Sequence, residues 1–315
     1  MKKINKLWVL TFSLLALGMI VFFSFLKNEI LVKDSILFAL PDTDKIFNIT
    51  ITNANGNKTE LKKLKGEWMY NGKFKARPNA MENLLDAISK IQIQYRPPNA
   101  AVPAILYSIK TEALLVEIFD KNEKLLKAYT LGGSTQDERG TYASLSGSND
   151  LYATELPGWS GNLRFRYNLV GDDWRDKTVF SAKPSEIREL YLRYPNQPTS
   201  SFSLQKKGND IILKEDFSQK ERKVDWQKTT AYLRNFNQLT AEAFENNNPL
   251  KETIIERIPF CEILMVKDNM DSTFVRFFPV NSERELKYFA QKNSDDLMLV
   301  QDRVFGKIFT TPKVF

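Results

Sequence analysis

One amphipathic helix pattern occurs twice in this chain, and the second copy follows the first by 148 residues. Apolar side chains at positions i, i+1, i+4 and i+7 share one face of an α-helix, and both copies have this spacing. The first copy has Leu84, Leu85, Ile88 and Ile91, and the second has Tyr232, Leu233, Phe236 and Leu239. We therefore expect two helices that each bury one face, the first capped by Asn79 and the second by Asp225.

Strand patterns continue the same shift beyond the helices. Residues 114–120 align with 262–268, and residues 126–131 align with 274–279. After two residues of shortening, 142–144 align with 288–290 and 151–154 with 297–300. Turn pairs such as Asn71-Gly72 separate strands, because both residues tolerate the positive φ of tight turns. One shift of 148 residues across a helix and the two strands that follow it indicates an internal duplication.

The predicted fold class is α+β, with two tandem repeats that each consist of an antiparallel β-sheet covered by one amphipathic helix. Residues 28–180 form the first predicted repeat and residues 181–315 form the second. The junction is placed at residues 181–186, where Pro184 and small polar residues interrupt both patterns.

An uncharged apolar run at residues 7–26 predicts a transmembrane helix before these repeats, because about 20 residues span a bilayer. Lys2, Lys3 and Lys6 precede the run, so residues 1–27 are interpreted as a cytoplasmic tip and signal anchor. The body then lies on the periplasmic or extracytoplasmic side of the inner membrane, with the lipid bilayer as a partner. A cleaved signal peptide is the alternative, although its apolar core is usually shorter.

The amino-acid composition excludes several classes of catalytic and metal site. The chain has no His, which excludes His-dependent catalytic triads and His-ligated metal sites. Its one Cys, Cys261, excludes an intrachain disulfide and is interpreted as a buried thiol. We therefore expect no enzyme activity, no cofactor and no metal. The net charge of +7 comes partly from the lysines around the apolar run. The sequence after this run has no cluster of basic residues, so we do not expect nucleic-acid binding.

Several residues are candidates for an interaction surface. The polar loop at residues 136–140 has a charged counterpart at residues 281–285, and aromatic and basic residues follow the first loop. The candidates are Asp137, Glu138, Arg139, Trp159, Trp174 and Arg175. For the two tryptophans core packing is the preferred interpretation and ligand stacking the alternative, and the charged residues are equally compatible with a solvated loop tip. Gly132-Gly133 is interpreted as a turn that leaves a strand, and the acidic group around Asp172 as a surface turn with local ion pairs.

Four segments of the chain resemble a known family. Residues 66–91, 125–133, 140–154 and 173–180, the last reading DWRDKTVF, are similar to domain-of-unknown-function family 4340. The resemblance implies a bacterial envelope protein with an extracytoplasmic body, and a role beside ABC-type transporters or gliding-associated complexes. It implies no catalytic residue.

Together these patterns predict a membrane-anchored binding or scaffold protein that belongs to a membrane protein complex. One alternative is an ectodomain that binds a cell-wall glycan or a lipid between the two repeats. A carboxylate-dependent hydrolase is the other alternative, and it requires two carboxylates about 5–10 Å apart across a pocket.

Overall fold

The computed structural model describes residues 17–19, 36–280 and 285–315. The chain divides into two compact units, Met1–Asp176 and Lys177–Phe315, called here the N-terminal and the C-terminal unit. The sequence pattern predicts this boundary slightly later, after residue 180.

The predicted membrane segment at residues 7–26 lies outside the described residues except for positions 17–19. Among the residues that are described, no helix has both the length and the apolar character that a membrane crossing requires.

A single antiparallel sheet of nine strands forms the framework of the N-terminal unit. Its strands are β1 (Asn48–Asn53), β2 (Lys58–Leu64), β3 (Glu67–Tyr70), β4 (Phe74–Lys75), β5 (Gln92–Tyr95), β6 (Leu114–Phe119), β7 (Leu125–Ser134), β8 (Thr141–Leu145) and β9 (Tyr152–Glu155). Their order across the sheet is β4-β3-β2-β1-β6-β7-β8-β9-β5. Within the described residues 36–176, the helices that accompany the sheet are α1 (Pro78–Lys90), α2 (Val102–Glu112) and α3 (Arg164–Tyr167).

Helix α1 buries the face that its apolar spacing predicts. Leu84 and Ile88 are fully buried, and Leu85 is partly buried, in a core that also contains sheet residues such as Val116. The predicted cap is wrong: Asn79 lies inside the helix, which begins with a proline in its first turn. Proline suits this position because the first helical N–H groups have no partner within the helix.

Helix α2 was not predicted, because the sequence pattern indicated one amphipathic helix in this unit. It packs against β7, where Gly132 and Gly133 lie inside the strand and not in a turn as predicted. A Cβ atom on Gly132 would lie 2.7 Å from Cγ1 of Ile109, and one on Gly133 would lie 2.6 Å from Oγ of Ser108. The two glycines therefore allow α2 to approach the strand closely.

A second nine-stranded antiparallel sheet forms the framework of the C-terminal unit. The strands of this unit are β10 (Thr178–Phe180), β11 (Ile187–Arg193), β12 (Phe202–Lys207), β13 (Asp210–Glu215), β14 (Glu221–Lys223), β15 (Leu239–Thr240), β16 (Ala243–Phe244), β17 (Cys261–Lys267), β18 (Ser272–Val280), β19 (Lys287–Lys292) and β20 (Asp296–Gln301). The sheet has the order β14-β13-β12-β11-β17-β18-β19-β20-β16, and β10 pairs separately with β15. The helices are α4 (Trp226–Leu233), α5 (Lys251–Ile255) and α6 (Asp302–Phe305).

Helix α4 begins as predicted, with the Asp225 side chain accepting the N–H of Lys228 at 2.7 Å. It is shorter than its apolar pattern, because the chain passes into a 3-10 turn at Arg234–Phe236 and Leu239 belongs to β15. Phe236 is nevertheless fully buried, with its ring edge-to-face to Phe180 at 5.4 Å.

Short 3-10 turns complete both units, and two of them immediately precede the first long strand of their sheets. The turns are Thr43–Lys45, Asn99–Ala101, Gly171–Trp174, Pro184–Glu186, Pro198–Ser200, Arg234–Phe236, Gly306–Ile308 and Pro312–Val314.

The described fold is mixed α+β with antiparallel sheets, which confirms the predicted class. The strands that the sequence alignment pairs occupy the same positions in their sheets: β6 and β17 and β7 and β18 at a shift of 148 residues, and β8 and β19 and β9 and β20 at the shortened shift. Descent of the two units from one duplicated repeat stays a prediction.

Candidate functional site

The predicted polar loop is exposed and internally ordered. Thr135 Oγ1 donates a hydrogen bond to Asp137 at 2.6 Å and accepts one from the N–H of Gly140 at 2.9 Å. The hydrogen bond from Thr135 is the main reason that the pKa of Asp137 lies below its ordinary value. Glu138 has a positive φ, and both it and Arg139 face solvent. Residues 281–284 of the predicted counterpart loop lie outside the described residues.

The predicted tryptophans do not join this loop as one exposed surface. Trp174 is completely buried, and Trp159 is half-buried beneath the guanidinium of Arg166, which lies 5.4 Å from its ring. Arg175 is only 6% exposed, with its guanidinium 3.7 Å from the centre of the Phe74 ring. Including Trp174 and Arg175 in an exposed surface is therefore wrong, because both side chains pack inside the N-terminal unit.

The remaining reactive groups of the sequence are held in structural roles. Asp172 forms an ion pair with Arg175 at 3.0 Å, which agrees with the predicted local pairing. Cys261 is fully buried, as predicted, and burial raises the pKa of its thiol to about 12. A thiol with this pKa stays protonated near neutral pH and is a poor nucleophile.

One cavity lies in the C-terminal unit, between α4 and strands β11 to β13. It has a volume of about 660 Å³ and is called here the C-terminal groove. Its lining residues come from the turn before β11, the three strands, α4 and the turn that follows α4. They are Lys183, Pro184, Ser185, Ile187, Arg188, Leu204, Lys206, Ile211, Trp226, Thr230, Leu233, Arg234 and Asn237.

Aliphatic side chains form the floor of the C-terminal groove. Ile187, Leu204, Ile211 and Leu233 line it and are buried in the core of the unit. Trp226, at the beginning of α4, also lines the groove, and 51% of its surface is exposed. An apolar floor with few polar groups is typical of a small-molecule site, and the volume lies within the range of about 300–1,000 Å³ for such sites.

All titratable residues that line the C-terminal groove are cations. Lys206 forms an ion pair with Asp268 at 3.2 Å, and Arg188 lies 3.6 Å from the carboxylate of its neighbour Glu189. Lys183 and Arg234 form no ion pair within the part of the chain that the structure describes. Since none of the described residues that line the cavity is acidic, its rim is positively charged.

A second cavity lies in the N-terminal unit, between α1 and strands β3 and β4. This N-terminal groove has a volume of about 560 Å³. Five of its lining residues are Pro78, Glu82, Leu85, Asp86 and Ser89, and each precedes by 148 positions a residue of the C-terminal groove, respectively Trp226, Thr230, Leu233, Arg234 and Asn237. The two grooves therefore use the same face of equivalent helices.

Three carboxylates, on Glu67, Glu82 and Asp86, and one lysine, Lys75, line the described part of the N-terminal groove, so its net charge is negative. Glu67 binds Lys75 at 2.7 Å, and Asp86 binds Arg166 at 2.8 Å. Lys90 and Arg166 together lower the pKa of Asp86 below its ordinary value, with the hydrogen bond from Lys90 as the largest cause. Where the C-terminal groove has Arg234, the N-terminal groove therefore presents a carboxylate.

Sequence reasoning missed the C-terminal groove. Lys183, Arg188, Lys206 and Arg234 form no run, and only the pairing of β11 with β12 and the packing of α4 bring them around one cavity. The available signal was the sequence alignment of the two helices, in which Asp86 aligns with Arg234.

Metal ligation has no obvious place among the described residues, which contain no group of three or more Cys, Asp or Glu side chains arranged to hold an ion.

Comparison with known proteins gives one match. A family described as "Domain of unknown function (DUF4340)" matches residues 71–256, which is more than half of the chain. This region contains α1 and every residue that lines the C-terminal groove. No curated protein and no solved structure matches the chain.

Proposed function

The chain belongs to the DUF4340 family, and we propose that it is a membrane-anchored extracytoplasmic binding or scaffold protein of the bacterial cell envelope. The observation that carries this proposal is the C-terminal groove, with its apolar floor and cationic rim. The cavity has the size and lining of a binding site. Among the described residues that line it, the titratable ones are lysines and arginines, which suit a binding site for a negatively charged group.

The proposed location rests on the sequence. Residues 7–26 are apolar and uncharged over the length that a membrane helix needs, and lysines precede them. With the groove-bearing body outside the cytoplasm, the protein would serve as an auxiliary component of an ABC-type transport or gliding-associated complex.

The proposed internal duplication has two supports in the structure. The two sheets have the same strand order, and the two grooves use helix residues at one constant sequence shift. Two copies with oppositely charged grooves fit a protein in which one copy has kept or gained a binding role that the other copy lacks.

The glycan-binding alternative loses one of its supports. Carbohydrate sites use exposed aromatic faces, and Trp174 is completely buried. The half-exposed Trp226 lies instead beside aliphatic side chains of the C-terminal groove, a setting that suits an apolar ligand better than a sugar.

Site-specific photo-crosslinking in intact cells tests the proposed function. A photoreactive amino acid replaces Thr230, which lines the C-terminal groove, or Lys228, which lies on the same helix, is exposed and does not line it. We expect a discrete crosslinked adduct from position 230 alone, and we expect to find it in the membrane fraction. Protease added to spheroplasts should digest the part of the chain that follows residue 27. A freely soluble cytosolic chain, or no adduct from position 230, would contradict the proposal.

A further inference from the structure

We propose that the C-terminal groove binds a single-chain anionic amphiphile, that is, one apolar chain that ends in a carboxylate or phosphate head. The N-terminal groove does not bind it. This inference rests on the proposed binding function and names the chemistry of the ligand.

The floor of the groove selects an apolar chain. Ile187, Leu204, Ile211 and Leu233 present only hydrocarbon to the cavity, and Trp226 adds an exposed aromatic surface at the beginning of α4. Apolar side chains form no hydrogen bonds with water, so a ligand that covers this floor with methylene groups removes apolar surface from water, which favours binding. The affinity should therefore increase with chain length, roughly fourfold for each buried methylene group, until the cavity is full.

The rim of the groove selects a negative head. Lys183 and Arg234 both line the cavity and have no ion-pair partner among the described residues. Lys206 and Arg188 line it as well, and their paired carboxylates on Asp268 and Glu189 do not. A carboxylate or phosphate at this rim would accept charge-assisted hydrogen bonds that Lys183 and Arg234 do not make within the described protein.

The dimensions of the groove favour a small amphiphile over a peptide helix. Helix α4 has eight residues, so the groove follows it for only about 12 Å. A helical peptide ligand uses apolar anchors over two or more turns, whereas a cavity of about 660 Å³ has the size of a small-molecule site.

The N-terminal groove supplies a comparison within the same molecule. Glu82 and Asp86 occupy the positions of Thr230 and Arg234, and Pro78 occupies that of Trp226; the one tryptophan among the described residues that line this groove is Trp68, from β3. An anionic head at this place would meet carboxylates, so the same ligand should be rejected there.

The experiment uses the purified full chain and a diazirine-labelled dodecanoate, below its micelle concentration. Cross-linked peptides are mapped by mass spectrometry. We expect label in residues 226–237 and not in residues 78–89. Unlabelled dodecanoate and dodecyl phosphate should compete, whereas dodecyl maltoside and dodecyltrimethylammonium should not. Increasing salt should weaken binding, because screening acts on the exposed rim.

Two variants with the same charge change test the rim. Arg234→Asp gives the C-terminal groove the acidic residue of its counterpart and should weaken dodecanoate binding by about tenfold or more. Lys228→Asp makes the same change on the exposed side of α4 and should leave binding unchanged. Circular dichroism confirms that both variants fold.

Each contrary result overturns a stated part of the inference. Equal labelling of residues 78–89 contradicts the selectivity between grooves, and equal competition by the maltoside contradicts recognition of the head. Equal binding by both variants contradicts the role of Arg234, and failure of unlabelled dodecanoate and dodecyl phosphate to compete contradicts the ligand class. The assay is performed in solution, so a cytosolic location would contradict only the proposed envelope function.

Discussion

Replacing Gly132 by Ala tests the packing of α2 on β7. The added Cβ would lie 2.7 Å from Cγ1 of Ile109, whereas carbon atoms in good contact lie about 3.5–4.0 Å apart. The next neighbour, the carbonyl oxygen of Tyr142, lies at an ordinary 3.5 Å. The overlap of nearly 1 Å thus involves one side chain, and overpacking of this kind costs about 1–3 kcal/mol.

The cost should appear as a lower free energy of unfolding of the N-terminal unit. With about 2–4 °C per kcal/mol for a unit of this size, the melting temperature of that unit should fall by roughly 2–12 °C. Urea unfolding followed by tryptophan fluorescence is a suitable assay once Trp226 of the C-terminal unit is replaced by Phe, because Trp68, Trp159 and Trp174 belong to the N-terminal unit.

A double-mutant cycle identifies the cause. Ile109→Ala removes the Cγ1 atom, so in that background Gly132→Ala should no longer destabilise the protein, and it should gain up to about 1 kcal/mol from the lower entropy of the unfolded chain. We expect a coupling energy of at least about 1 kcal/mol. The close approach of α2 to β7 would be refuted if the effects of the two substitutions on the free energy of unfolding were additive. It would also be refuted if Gly132→Ala alone left this free energy unchanged.

Three further predictions concern single side chains. Leu84→Ala should lower the free energy of unfolding by about 2–5 kcal/mol in urea titrations, because Leu84 is fully buried. Asp86→Asn should cost about 0.5–1 kcal/mol at pH 7, because Asp86 pairs with Lys90 and Arg166. Since these partners lower the pKa of Asp86, its contribution is present above the ordinary value of 3.8, and the difference from the variant should shrink as the pH falls below 3.8. Cys261 should react with a thiol reagent at pH 8 only after unfolding. Burial raises the pKa of its thiol from 9.0 to about 12, so its contribution to the free energy of unfolding should be lost as the pH rises through that interval.

Each of these predictions has a control or a contrary result. Asn83→Ala changes an exposed residue of the same helix as Leu84 and should alter stability by no more than about 0.5 kcal/mol. A constant difference between wild type and Asp86→Asn from pH 7 to pH 2 would show that the pairing is not electrostatic. Rapid reaction of Cys261 in the folded protein would contradict its burial.

Local patterns anticipated the elements that carry a strong period or cap. Leu84 and Ile88 identified the buried face of α1, and Asp225 identified the start of α4, because a short acidic side chain can accept the free N–H groups of the first turn. The predicted cap at Asn79 failed where Pro78 already begins the helix. Gly132 and Gly133 looked like a turn, since the helix that needs their missing side chains lies more than 20 residues earlier in the chain.

For the predicted site residues too, local patterns did not show which side chains pack against distant segments of the chain. Asp137, Glu138 and Arg139 lie on an exposed loop as expected, and their role as an interaction surface stays a prediction. Trp174 and Arg175 carried the same polar and aromatic signals and are nevertheless buried, because the turn that contains them joins the core beside Phe74.

The amino-acid sequence by itself determined the class of the fold, the positions of the two amphipathic helices and the absence of imidazole chemistry, because periodicity, capping and composition are local properties. Only the tertiary structure decided where charge and apolar surface meet. Lys183, Lys206 and Arg234 surround one cavity because strand register and helix packing bring distant segments together, and electrostatic interactions depend on distance in space and not on separation along the chain.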